Sequence, residues 1–395
     1  MSGIRVLRPG AVLTLATALL AAASGPARAD FERTITLESS DVSVVDLVGA
    51  VRVERTAGSK FEVLVQVKGA DADEKRIRIE TQEGSRGRVV VRFPVDEYRK
   101  YTYPPMGHSR SSFSMDNSKH DGEWLHEILK LAQGERIEVS GRSSGKALEV
   151  WADITVRVPA GKSAAVLLGC GSIDANNVEG DLDLRTRSGA VTANDLKGNI
   201  RLDTGSGEVD ARKVQGDLDV NTGSGSVKVS DVRDATTVTL DTGSGEVVVN
   251  GVIAKSLKVD TGSGSVDLRD VEADDVSVDT GSGGVDGAAV AANELKVDTG
   301  SGGVEFELVK MGSGSYVIDT GSGGVRLDMP RSVSARFDVE TGSGSIDADI
   351  EGVTLSRHER QSARFKVGSG DAKVHVTTGS GSIHLTQDAG TASRR

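Results

Sequence analysis

Val259-Asp-Thr-Gly-Ser263 is the string with which two-lobed acid proteases hold a catalytic carboxylate. That chemistry needs two such loops facing each other, so that two aspartates share one proton. Here the string returns about every 19 residues in one register, which makes it a structural corner and not a matched pair. Gly141-Arg-Ser-Ser-Gly145 has the spacing of a nucleophile elbow. An elbow needs a strand before it, a helix after it, and an acid and a histidine downstream. No helical pattern follows, so in a chain with 49 glycines the match reads as chance.

The histidines are His108, His120, His126, His358, His375 and His384. The first three lie near Asp121, Glu123 and Glu127 and are the candidate ligands for a transition metal. His120 and His126 are six apart, and two ligands on one helix face need a step of four. A solvated loop is the default there, and no cofactor is expected. His375 and His384 flank the last corner and are a weaker candidate pair. An acidic ladder of Asp203, Asp241, Asp260, Asp279, Asp298 and Asp319 offers oxygen ligands of the kind Ca²⁺ takes. The calcium-binding nonapeptide is missing, however, and Asn221 and Glu340 interrupt the ladder. The accompanying threonine column suggests an ice-binding face, but the slots beside it carry Asp and Ser rather than a second row of Thr. Parallel β-helices also serve polysaccharide-degrading enzymes, which stack sugars on aromatics; the array offers only Phe306, Tyr316, Phe337 and Phe365.

Nearly all these residues belong to one repeat. Thr-Gly-Ser-Gly begins at Thr204, Thr222, Thr242, Thr261, Thr280, Thr299, Thr320, Thr341 and Thr378. The steps are 18, 20, 19, 19, 19, 21, 21 and 37 residues, the last close to two periods. A fixed period of this size means stacked units. In Leu257-Lys-Val-Asp-Thr-Gly-Ser-Gly-Ser-Val-Asp-Leu268, apolar residues alternate on both sides of the phrase, but the step from Val259 to Val266 is odd. An odd step along one flat strand would reverse the buried face, so the chain turns a corner at Gly262-Ser-Gly264. Glycine suits a corner that needs unusual backbone angles. The predicted corner residues are Asp203, Thr204, Gly205 and Gly207, and then Asp241, Gly243 and Gly245. They continue with Asp260, Gly262 and Gly264; Asp279, Gly281 and Gly283; Asp298, Gly300 and Gly302; and Asp319, Gly321 and Gly323. A second corner falls half a coil away, around 270–274. The aspartates are expected to cap corner N–H groups. Coils stacked in order at about 4.8 Å predict a rod of roughly 50 Å. The expected fold is an all-β, right-handed parallel β-solenoid with coils of about 19 residues.

Degenerate phrases at Leu168-Gly-Cys-Gly171 and Thr186-Arg-Ser-Gly189 carry the register back to about residue 166. Residues 1–29 read as a signal peptide, with Arg5 and Arg8, an apolar run over 11–23, and Ala27-Arg-Ala29 before the cut. Residues 30–93 read as an N-terminal β-strand region. Residues 94–136 read as a polar loop with one amphipathic helix over 122–134, its face made by Trp124, Ile128 and Leu131. Residues 137–387 form the repeat array, 351–362 swell one coil, and 388–395 are a disordered tail. The net charge is −11, and losing Arg5, Arg8 and Arg28 with the signal makes it −14. That argues against nucleic acid as partner, which needs a basic footprint. No membrane span is expected after signal cleavage. Cys170 is the one cysteine, which excludes an internal disulfide, and reads as a small buried residue.

The chain resembles the DUF4097 family of exported β-strand-repeat proteins, related to head-GIN-type candidate adhesins. The resemblance rests on Val48-Gly-Ala-Val-Arg-Val-Glu54, Ile154-Thr-Val-Arg-Val-Pro-Ala-Gly161, Val178-Glu-Gly-Asp-Leu-Asp-Leu184 and the stretch from Leu196 to Gly207. It covers most of 35–385 apart from 94–136 and implies a β-solenoid with an adhesive or scaffolding role and no catalytic residues. The expected function is that of an exported, non-catalytic binding protein of the periplasm or cell surface. It would act as a monomer on a cell-envelope protein or glycan. The alternative is a carbohydrate-active β-helix enzyme acting on an extracellular polysaccharide.

Overall fold

The computed structural model describes residues 31–113, 136–142, 145–359 and 361–389. They form a parallel β-solenoid within one 27-stranded sheet, with a separate four-stranded sheet beside it. The one helical element among the described residues is a 3-10 turn at Pro104–Met106. The signal segment and the helix expected at 122–134 lie outside the described residues.

One coil shows how the sequence makes this shape. In Val266–Thr280 the inward residues are Val266, Leu268, Val271, Ala273, Val276, Val278 and Thr280. Alternation by twos is the strand period, and it slips by one at 270 and again at 274–275. Each slip turns the chain toward the same core. The half-coil corner expected around 270–274 is thus two bends, and the coil has three short sides. Asp270 makes the first bend with a left-handed backbone, φ 51°. The same slot is left-handed at Asn177, Asp195, Lys213, Asp231, Gly251 and Ala289.

Successive coils pair in parallel and in register. Val247, Val266 and Val285 are successive neighbours, as are Leu257, Val276 and Leu295. The inner surface is a set of Val, Leu and Ile columns, nearly all fully buried. Burying each such side chain stabilises by roughly 1.5–3 kcal/mol relative to leaving it exposed.

Stacking begins earlier than residue 166. Asp41–Val48 and Val51–Thr56 form a coil of their own, with Val44 beside Val166 and Val51 beside Ile173. Residues 57–162 are an excursion between this coil and the next. Among its described residues, Arg86–Arg92 pairs in parallel with Asp41–Val48 and Trp151–Pro159 with Val51–Thr56, covering the N-terminal end. Antiparallel pairs extend this cover, Arg78–Gln82 on Arg86–Arg92, and Phe61–Lys68 between Trp151–Pro159 and Phe31–Leu37. Within 94–136, Lys100–Thr102 and Arg110–Phe113 are strands of the small sheet, joined there by Ile137–Ser140.

At the C-terminal end the coils leave sequence order. Ala372–Thr378 lies between Ser315–Thr320 and Ala335–Thr341, parallel to both. Ile383–Ala389 lies between Val325–Pro330 and Ile346–Asp349 in the same way. The last coil is therefore interleaved, where simple stacking would have placed it outermost. Residues 351–362 do not swell a coil. Thr354–Glu359 and Ser362–Val367 form an antiparallel ribbon, and Ser362–Val367 pairs with the outer edge of Ala335–Thr341. A link at 368–371 then crosses the start of Ala335–Thr341, held by Asp371 N and Ala372 N donating to Ser334 O.

Candidate functional site

Within the repeated phrase the threonine points inward, whereas the serine is exposed. Thr204, Thr222, Thr242, Thr261, Thr280, Thr299 and Thr320 are each 1 % exposed. Thr280 Oγ1 donates to Gly264 O of the preceding coil at 3.0 Å. The same oxygen accepts from Gly283 N of its own corner at 3.1 Å. Thr261 and Thr299 repeat both contacts. From Thr222 to Thr320 each ladder hydroxyl is thus satisfied as donor and as acceptor, while Thr204 makes the donor contact, to Gly189 O. The threonines form an internal ladder, so the external Thr array that an ice-binding face requires does not exist here. Corner N–H groups assigned to aspartate caps in the sequence reading are taken by these hydroxyls.

The corner glycines answer to crowding, not to backbone angle. A Cβ on Gly264 would sit 1.7 Å from Gly245 O, and one on Gly262 would sit 2.4 Å from Gly243 O. Corners at Gly205, Gly207, Gly243, Gly245, Gly281, Gly283, Gly300, Gly302, Gly321 and Gly323 are equally tight, each with a carbonyl oxygen within 2.6 Å of that position. None of these glycines has positive φ; Gly171 and Gly189 in the first corners do.

The aspartates face outward as a column. Asp241, Asp260, Asp279, Asp298 and Asp319 are successive parallel neighbours. Asp203 instead lies between Arg185 and Asn221. Partial burial, and then the charge of Asp260, raises the Asp241 carboxyl above its ordinary value. Among the described residues, no group of three or more His, Cys, Asp or Glu side chains is placed to hold a metal ion. His108 is exposed, and His120 and His126 lie outside the described residues, as do Ser143 and Ser144 of the Gly-x-Ser-x-Gly string. His375 lies between Val317 and Asp338, whereas His384 is 3.8 Å from Asp347. Cys170 is buried beside Met106, 3.5 Å between sulfurs, and burial pushes its thiol up to about 12.

Two features had no signal in the repeat. Asp46 occupies the slot that threonine fills elsewhere, through Leu168 and Thr186. It is 1 % exposed, and neither carboxylate oxygen makes a hydrogen bond of ordinary geometry. Burial pushes its pKa well up, the backbone N–H groups of Leu47 and Val48 offset part of this, and Asp153 adds to it. The second feature is a groove of about 660 Å³ along the left-handed slot of the 18-residue coils. Charges of both signs line it, with Glu179 between Arg55 at 3.8 Å and Lys197 at 3.6 Å, and Lys213, Asp231 and Arg233 beyond. The residues that line it are unlike from coil to coil, so periodicity does not mark them.

Residues 212–386 match the family DUF4097, described as Toastrack. The family seen as a resemblance in the sequence is thus found over that stretch. No curated protein is similar enough in sequence to match. Among solved structures, the chain is similar to a candidate cell adhesion protein from Clostridium sporogenes, at 11% identity over 91% of this chain and 100% of the other, TM-score 0.20. It is also similar to a candidate adhesin from Bacteroides fragilis, at 14% identity over 90% and 96%, TM-score 0.29. A candidate adhesin from Parabacteroides distasonis is similar at 11% identity over 90% and 96%, TM-score 0.30.

Proposed function

We propose that this chain is an exported, non-catalytic β-solenoid that binds a cell-envelope protein or glycan through its outward faces, as an adhesin-like or scaffolding protein. One observation carries the reading. The residues repeated most faithfully, Thr and the two corner glycines, are engaged in coil-to-coil contacts, as with Thr280 and Gly264. What remains for a partner is the outer surface, where charged side chains stand in long parallel columns such as Asp241 to Asp319. Repeats that present flat, extended surfaces are suited to binding along their length. No helix among the described residues is long and apolar enough to cross a membrane.

The test joins location with binding. Trypsin added to intact cells should cut at Arg99, Lys100 or Arg110, and purified protein should sediment with isolated envelopes and be released by salt, since exposed charges are screened beyond about 10 Å at 0.1 M. Recovery in the cytosol, or no retention on envelopes at any ionic strength, would overturn the proposal. Cleavage only after the outer envelope is opened would move the protein to the periplasm and favour scaffolding over adhesion.

A further inference from the structure

We propose that residues 335–389 form an exchangeable cap, and that a second copy of this chain accepts it, so that two copies trade caps across the seam between Ser315–Thr320 and Ala372–Thr378. The interleaved order makes 335–389 a unit with its own internal pairing. Ala335–Thr341 pairs with Ala372–Thr378 over seven residues on one side and with Ser362–Val367 over six on the other. Phe337 and Phe365 stack inside it at 4.6 Å. Ser334 Oγ ties its threshold to Asp371 and Ser369, both at 2.9 Å. The covalent connection to the body is the short link 331–334, directly after Pro330.

The seam repeats the chemistry of every other coil junction. Thr378 Oγ1 donates to Gly323 O at 2.8 Å, Gly379 N to Thr320 O at 3.1 Å, and Val325 N to Ser382 O at 2.9 Å. These contacts are identical whether the cap belongs to the same chain or to another. The difference between the two states is confined to the link and to the entropy of association. The link holds a turn, Val333 N to Pro330 O at 3.0 Å, and its four residues reach about 13 Å when extended. At the opposite end the outer edge of the first coil is already paired, Asp41–Val48 with Arg86–Arg92 and Val51–Thr56 with Trp151–Pro159, so a released cap finds its matching edge only at the equivalent seam of another copy. Reciprocal exchange then closes as a dimer and does not propagate as a fibre.

Val317 and His375 face each other across the seam, as do Asp319 and Thr377. V317C chains and H375C chains are mixed, unfolded together in urea, refolded at increasing concentration and oxidised. The expected result is a disulfide-linked V317C–H375C dimer whose yield rises with protein concentration, alongside closure within the chain for the V317C/H375C double variant. D319C with T377C repeats the test should the first pair fold poorly. If the double variant closes and the mixed single variants never join at any concentration, exchange is overturned. If neither double variant closes, the interleaved order itself is overturned, and the proposal with it.

Discussion

Thr378 donates its hydroxyl to the carbonyl of Gly323, 55 residues earlier in the chain. Each ladder threonine from Thr186 to Thr299, one per coil, makes the same bond to a glycine 15 to 17 residues back. One local geometry therefore serves two very different chain separations.

Thr280→Val keeps the shape of the side chain and removes both of its hydrogen bonds. The carbonyl of Gly264 and the N–H of Gly283 are then buried without a partner, which costs about 1–3 kcal/mol. Thr280→Ser keeps the hydroxyl and should lose only about 1 kcal/mol for the missing methyl. Urea unfolding of the two variants separates the contributions. Equal losses would mean that the hydroxyl is not what matters.

Gly264→Ala places a methyl 1.7 Å from a carbonyl oxygen, so the corners must separate. The loss should exceed about 4 kcal/mol, in the range reserved for severe defects. Gly284→Ala is the control, because its Cβ meets nothing nearer than Gly303 O at 3.6 Å. It should be neutral or stabilising by up to about 1 kcal/mol, since the unfolded chain loses freedom. Thermal melts of the pair give the comparison.

Asp46 gives a pH dependence of known sign. Its folded-state pKa is raised, so the unfolded chain loses this proton at a lower pH than the folded one. Its stabilising effect is complete in acid, below the unfolded value near 4, and is lost as pH rises toward the folded value. Asp46→Asn should match the wild type near pH 3 and exceed it at neutral pH, by about 1.4 kcal/mol per unit of the raised pKa. A difference that does not change between pH 3 and 8 would show that Asp46 ionises freely.

Ala289 holds φ at 55° in the left-handed slot, where an L residue is strained by roughly 1–2 kcal/mol. Ala289→Gly should recover about 1 kcal/mol, less the entropy glycine adds to the unfolded state. Gly251→Ala, in the same slot at φ 69°, should lose a similar amount. Denaturant midpoints measured side by side should move in opposite directions.

The period and the alternation of Val and Leu made the solenoid readable, because both express burial directly. Thr261 was readable as inward too, since it continues the step of two from Leu257 and Val259; the polar ladder beside it drew attention outward. The interleaved end was hidden for a different reason. A phrase repeated without change pairs equally well with any copy of itself, so the 37-residue gap before Thr378 does not say which coil it joins. The first coil was hidden because Asp46 and Gly49 stand where Thr and Gly-Ser-Gly stand later, and the 122 residues from Asp46 to Leu168 erase the period. Glycine's part was legible in position but not in cause, since sequence shows that a side chain is absent and not which atom needs the room.

Because each junction offers the next layer the same carbonyl, amide and hydroxyl, a whole layer is interchangeable with its neighbour. Removing or duplicating a segment such as 266–284 leaves both ends with the contacts they had. The separation between the two ends then changes by one strand spacing, about 4.8 Å. The barrel of the molecule is in this sense a graduated spacer. Its span is written in whole coils, and it can be lengthened or shortened by copying or losing one coil without redesigning either end.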